Sequence, residues 1–301
     1  MRIAVTGQRG QVVQSLLERG LDHHAEILAL GRPQLDLADP STIFPALEAA
    51  APDIIVSAAA FTAVDRAEDE SEAAFAINAA GAGAVAQAAS RLSVPVIHLS
   101  TDYVFNGRKT DPYREDDLTD PLGVYGASKL AGENAVLAAC SNSIVLRTAW
   151  VYSPFGNNFV KTMLRLADER EEVGVVADQL GNPTSALDIA DGILVVAANL
   201  LADRSAGLRG VFHMTGAGEA SWAEFASAIF SVSEDQGGPS ARVRPITTAE
   251  YPTPAPRPAN SRLDCGKLRQ AHGVRLAAWQ ESVEIVVRRL LLEHRKRGRV
   301  E

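Results

Sequence analysis

In the first 150 residues, short apolar runs alternate with stretches of helical periodicity, and this alternation constrains the fold more than any other feature of the chain. Residues 3–5, 27–30, 53–57, 94–100 and 143–147 read as strands, each short, rich in Ile, Val and Leu, and bounded by turn or helix signals. Helical spacing covers 12–20, 43–50, 67–92 and 125–139. The second of these stops before Pro52, and the long Ala-rich third one reads as two pieces broken near 78–83. Strands with so few polar residues cannot leave one face in water, so the sheet must be parallel and covered by helices on both sides. The expected fold class is α/β, a doubly wound Rossmann-type parallel sheet with a smaller, discontinuous C-terminal domain.

Beyond Trp150 the pattern loosens. Helices are expected at 158–169, 185–201 and 221–230 and strands at 173–176 and 211–215. A Gly-, Pro- and Ser-rich stretch follows at 236–261, whose 251–258 run Tyr-Pro-Thr-Pro-Ala-Pro-Arg-Pro excludes regular helix, since each proline removes a donor and restricts its predecessor. A last helix at 279–297 ends in a basic run, 294–299, read as a solvated helix C-terminus that suits the macrodipole. Residues 1–150 are expected to form the first domain and 151–301 mainly the second, with about 173–202 returning to the sheet.

Composition removes several classes of function. With 29 Lys and Arg against 37 Asp and Glu, the net charge is −8, so the surplus of basic residues that general nucleic-acid binding needs is missing. The two cysteines, Cys140 and Cys265, are far apart and have no His or Cys at ligand spacing, which argues against both a disulfide framework and a zinc site. Gly7 arrives too early for the apolar core of a signal peptide, and no apolar run approaches the ~20 residues of a membrane span. A cytoplasmic protein without nucleic-acid or membrane partners is expected.

Two constellations carry chemistry. Gly7-Gln8-Arg9-Gly10-Gln11-Val12-Val13 follows the first strand directly. Glycines at such a turn let the backbone approach a pyrophosphate seated at a helix N-terminus. Two glycines also suit an ordinary strand-to-helix turn, but the position after the first strand favours a dinucleotide. A third glycine would stand at Val13, whose side chain is expected to loosen the helix on the sheet. The second strand ends in Leu30-Gly31-Arg32-Pro33, with no carboxylate for a ribose hydroxyl. Arg32 could meet a 2′-phosphate or simply lie in a solvated loop; the expectation is NADPH over NADH.

The second constellation is Tyr125-Gly126-Ala127-Ser128-Lys129. Tyr125 and Lys129 are one helical turn apart, about 6 Å along the axis. A free tyrosine titrates at about 10, and a neighbouring ammonium would lower that value and make the phenol a usable acid. Ser100 and Thr101 stand at the exit of the fourth strand, on the edge where doubly wound sheets bind ligands.

The glycine turn, Ser100-Thr101 and Tyr-x-x-x-Lys together resemble the extended short-chain dehydrogenase/reductase superfamily. The blocks at 58–68, 100–105, 146–152, 156–163, 178–184 and 257–264 are similar, in order, to the dTDP-4-dehydrorhamnose reductase family. The resemblance implies Tyr125 as general acid, Lys129 as its electrostatic partner and a ligand of the nicotinamide ribose, and Thr101 on the reacting oxygen. It implies cofactor contacts from Gly7, Arg9, Gly10, Gln11, Val12, Arg32, Asp36, Leu37, Ala58, Ala59, Ala60, Thr62 and Ser100. Asp102, Tyr103, Trp150, Asn158 and Arg257 would contact the substrate, and Arg257 and Arg262 suit a diphosphate, or equally an exposed loop. The implied reaction is reduction of a nucleotide 4-ketosugar at C4 by NADPH, with NADH as a further candidate.

Three departures stand beside the match. Val13 replaces the family glycine, Ser57 stands where the family commonly has Asn, and Ser15 stands where some members carry a magnesium-binding glutamate, so no metal and a monomer or weak homodimer are expected. Asp65 and Glu68 read as the acidic first turn of a helix. His98 reads as a satisfied core residue without a catalytic partner. Two other readings remain open: reduction of a different nucleotide 4-ketosugar, giving for example a 6-deoxy-talose, and a non-catalytic NADP-binding regulatory subunit like the one that accompanies methionine adenosyltransferase.

Overall fold

The computed structural model describes residues 1–297, with side chains through 295. The first half runs β1 (Arg2–Thr6), α1 (Gln11–Arg19), β2 (Glu26–Leu30), α2 (Ile43–Ala50), β3 (Ile54–Ser57), α3 (Val64–Asp69), α4 (Ser71–Phe75), a π turn (Ala76–Gly81), α5 (Ala82–Leu92), β4 (Val96–Thr101), α6 (Val124–Ala139) and β5 (Ser143–Thr148). The second half adds β6 (Val151–Tyr152), α7 (Phe159–Glu169), β7 (Glu172–Val176), β8 (Leu180–Gly181), β9 (Thr184–Ser185), α8 (Ala186–Ala202), β10 (Gly210–His213), β11 (Ala220–Ser221), α9 (Trp222–Asp235), β12 (Arg242–Ile246), α10 (Gly266–His272) and α11 (Trp279–Arg297).

Six strands form one parallel sheet in the order β10-β5-β4-β3-β1-β2. The direction of winding reverses between β1 and β3, which opens a crevice at their carboxyl ends. Every residue of β3, β4 and β5 is buried, the physical reason these strands read as apolar runs rather than alternations. Successive side chains serve opposite cores. Ile3 and Val5 pack with α1 and α8, whereas Ala4, between them, packs with α2 and α5. A third core joins α7, α9 and α11 around Phe225, Ile229 and Trp279.

The structure corrects the expectation for 173–202. Strand β7 pairs with β12 in a separate two-stranded sheet, and the strand that completes the large sheet is β10, at 210–213. From 173–202 only α8 reaches the first core, where Ile189, Ile193 and Val196 are buried. Val13 does not disturb its turn: it is 2 % exposed and packs into the same core. The break expected near 78–83 is a π turn that widens the helix without ending it. Of the basic run 294–299, residues 298 and 299 lie outside the described residues.

Candidate active site

The carboxyl ends of β1, β3, β4 and β5 border a cleft of about 550 Å³. Its floor begins at the turn after β1. Gly7 has φ +100°, a conformation that side-chain-bearing residues rarely adopt, so glycine is what lets the backbone turn here. Gly10 is the N-cap of α1, with no side-chain cap and no acidic residue in the first turn. Arg9, Gly10, Gln11 and Val12 all wall the cleft. An uncapped helix N-terminus there is a ready anion site, which fits the diphosphate of a dinucleotide. Ala58, Ala60 and Thr62 form the opposite wall, and the loop is held where the amides of Ala58 and Ala59 both donate to Thr6 Oγ1 at 3.0 Å.

The catalytic candidates meet at one end. Ser100, Thr101, Asp102, Tyr103, Tyr125 and Lys129 line this same cleft. Thr101 Oγ1 donates to Asp102 Oδ1 at 2.9 Å and accepts from the amide of Tyr103. The other carboxylate oxygen of Asp102 is buried without a partner, and burial pushes this carboxyl up to about 6. Burial likewise raises the Tyr125 phenol to about 12, against a lowering contribution from Thr101. The expected lowering by Lys129 is absent. Its Nζ turns to β4, donating to Leu99 O at 2.6 Å and lying 3.4 Å from His98 Nε2. Burial lowers Lys129 to about 8, opposed by the charge of Glu133. Tyr125 is therefore a firmly protonated acid in this arrangement.

Beneath this end lies a buried ion pair. Arg147 Nε and Nη2 donate to Glu133 at 2.9 and 2.7 Å, and Ser100 Oγ donates to the same carboxylate at 2.5 Å. Tyr125, Lys129 and Glu133 share one face of α6 at four-residue spacing.

Several expected ligands lie elsewhere. Arg32 is exposed at the end of β2, Leu37 belongs to the core beside Gly81, and Asp36 accepts from its own turn at Ala38; none walls the cleft. Asn158 caps α7 and spends its amide on Gln11, Ser153 and Phe155, so its side chain is occupied by structure. Arg262 is tied to Glu219 and Asn260, away from both cavities. Asp65 and Glu68 do more than suit a helix dipole. Asp65 grips Arg257 with both oxygens at 2.9 Å, and Glu68 accepts the amide of Val124 at the start of α6.

A second cavity of about 570 Å³ adjoins the cleft at Tyr103. Asp65, Arg257, Arg165 and Arg170 line it, with Phe159, Trp222 and Tyr251. Trp150, on the cleft side, stacks on Trp222 at 3.5 Å between centroids and donates from Nε1 to Ser261. Sequence reasoning missed Glu133, Arg147 and the aromatic wall. The signals were an acid two turns after Tyr125 on its own helical face and an arginine inside an apolar strand.

A family model described as the RmlD substrate binding domain matches residues 1–292. The chain is 56% identical over 293 residues to a dTDP-4-dehydrorhamnose reductase of Sinorhizobium fredii, covering 97% of this chain and 99% of that one. Among solved structures, a dTDP-4-dehydrorhamnose reductase of Clostridium acetobutylicum superposes with a TM-score of 0.90 at 35% identity, covering 97% of this chain and 100% of that one. One of Bacillus anthracis, in complex with NADP, gives 0.88 at 36% identity, with 95% and 98% covered.

Proposed function

Since this chain belongs to the dTDP-4-dehydrorhamnose reductase family, we propose that it reduces the C4 ketone of dTDP-4-dehydro-L-rhamnose to dTDP-L-rhamnose with hydride from NADPH. The observation that carries this reading is one cleft with an uncapped helix N-terminus at its floor and a protonated phenol, a hydroxyl and an ammonium at its end. The first-turn amides of α1 would hold the cofactor diphosphate, and Lys129 the nicotinamide ribose. The adjoining cavity would take the nucleotide sugar, its three arginines suiting a diphosphate and its aromatic wall a base or sugar face.

Tyr125 delivers its proton to the oxygen at C4, where negative charge develops. An alkoxide is a far stronger base than a phenolate, so the raised affinity of the buried phenol for its proton still permits transfer. Lys129, whose ammonium turns to Leu99 O and His98 rather than to the phenol, is left to hold the nicotinamide ribose with its remaining donor. Thr101 has a single proton, which Asp102 holds in the resting site. To grip the substrate oxygen, that hydroxyl must swing its proton from Asp102 to the carbonyl. Protonation of Asp102 removes this competition.

The test is absorbance at 340 nm with NADPH and enzymatically generated dTDP-4-dehydro-L-rhamnose, followed by NMR of the product. Tyr125→Phe should keep NADPH affinity and lower kcat by about 10²- to 10⁴-fold. Unchanged turnover in that variant would remove the mechanism. A talose product would keep the chemistry and change the stereochemistry. Tight NADPH binding without oxidation would favour another 4-ketosugar or a nucleotide-holding regulatory subunit.

A further inference from the structure

We infer that His98 is a positioning residue that fixes the Lys129 ammonium toward the cleft, with Ser57 holding the imidazole in the one tautomer that can do so. The inference rests on the reading of Lys129 given above and begins from the way β4 meets α6. Residues two apart on a strand are separated by about 6.6 Å and point to one face, and residues four apart on a helix by about 6 Å. α6 runs antiparallel to β4, so the two contacts cross: the Lys129 side chain reaches down the strand to His98 and that of Glu133 up it to Ser100, giving α6 two polar partners within a largely apolar sheet.

A lysine ammonium has three donors and no acceptor. Lys129, 2 % exposed, directs one donor to Leu99 O at 2.6 Å and a second to His98 Nε2 at 3.4 Å, leaving the third for the cleft that it lines. An ammonium can only donate, so Nε2 must carry a lone pair and the ring proton must sit on Nδ1. Nδ1 lies 3.1 Å from Ser57 Oγ, and Ser57 pairs with His98 across the β3–β4 ladder. The hydroxyl is thus placed to accept that proton and exclude the other tautomer. The ring must also be neutral, and both burial and the charge of Lys129 hold its pKa well below the usual histidine range. The core histidine accordingly has a catalytic neighbour, contrary to the reading from sequence.

Other charged groups around Lys129 are accounted for. Tyr125 and Glu133 flank it on α6, Arg147 approaches from β5 but is locked on Glu133, and Asp102 lies in the turn after β4 beside Tyr125. Glu133 supports the ammonium from one side, and His98 is the acceptor on the other. Removing that acceptor disfavours the charged amine.

The chain has only five lysines, so Lys129 can be titrated directly by 13C NMR of lysine-labelled protein without cofactor or substrate, its peak assigned from Lys129→Arg. His98→Leu should lower the Lys129 midpoint by about one pH unit, a tenfold change in its protonation equilibrium. It should also lower kcat for NADPH oxidation about tenfold, with the alkaline limb of the rate profile moving by the same amount. His98→Gln, whose amide oxygen can stand near Nε2, should restore both. Ser57→Ala, which keeps the ring but frees its tautomer, should shift the titration partway, and it decides the matter if His98→Leu does not fold. A wild-type midpoint in folded His98→Leu or in Ser57→Ala, or a His98→Gln midpoint no nearer wild type than His98→Leu, overturns the inference. Because the titration needs no turnover, it stands or falls independently of the substrate proposed above.

Discussion

Gly132 lies where α6, the helix that carries Tyr125 and Lys129, crosses the π turn, and the crossing is close enough that only a hydrogen fits. A Cβ built at this position would stand 2.0 Å from the carbonyl oxygen of Asn78. That atom is backbone, so it cannot rotate away as a side chain would. Asn78 is itself pinned: its amide group exchanges two hydrogen bonds with the backbone of Phe61 and donates to Ser128 Oγ on α6. Gly132→Ala must therefore part α6 from the turn by about 1 Å, the overpacking cost being roughly 1–3 kcal/mol or more. For a chain of this size that lowers the melting temperature by about 2–5 °C. The same displacement moves Tyr125 and Lys129 relative to the cleft loop that Asn78 holds, and 1 Å of misplacement costs up to about 10²-fold in rate. Gly83→Ala is the control in the adjacent helix. Its Cβ would meet only the Cβ of Ala135, at 3.1 Å, and a helix gains about 1 kcal/mol from Ala over Gly. Melting by circular dichroism and NADPH oxidation at 340 nm should separate the two, with Gly83→Ala near wild type. A Gly132→Ala protein melting within 1 °C of wild type, with kcat within twofold, would refute the steric argument.

Three further predictions follow from the same geometry. Arg147→Met leaves the Glu133 carboxylate buried without its partner and should cost about 3–5 kcal/mol in urea unfolding, whereas Arg147→Met combined with Glu133→Leu should recover most of it; a single-variant loss below 1 kcal/mol would contradict this. Asp102 is pushed up to about 6 in the folded protein, so the stability it contributes is full below the unfolded value near 4 and is lost as pH rises through 6. Relative to wild type, Asp102→Asn should gain about 2 kcal/mol between pH 4 and pH 7; a stability difference that stays flat over that range would show that the carboxyl is not buried as a charge. Finally, NADPH should exceed NADH in kcat/KM by about tenfold or more. NADH equal to NADPH in the wild type would end that assignment.

Much of the site was legible in the chain. The glycine turn, the Ser100-Thr101 exit and the Tyr125–Lys129 spacing all come together in one cleft, because each is fixed by local chemistry: positive φ at Gly7, a strand end, and one turn of helix. Asn158 and Asp65 were legible only in part. Both sit at helix starts, as the sequence suggests, but a cap and an ion pair look alike along a chain, and their partners Gln11 and Arg257 are more than a hundred residues away.

The sequence alone determined the alternation of elements, and with it the parallel sheet. Burial of both sheet faces demands apolar runs, and such runs can be read one residue at a time. Tertiary structure decided which later strand completes the sheet, since β7, of five residues, and β10, of four, are both short and largely apolar and only their partners distinguish them. It also decided the protonation of the site. Spacing suggested that Lys129 lowers Tyr125, but a pKa depends on where a charge points and how much water is left around it. The folded chain turns Lys129 toward Leu99 and His98 and removes water from Tyr125.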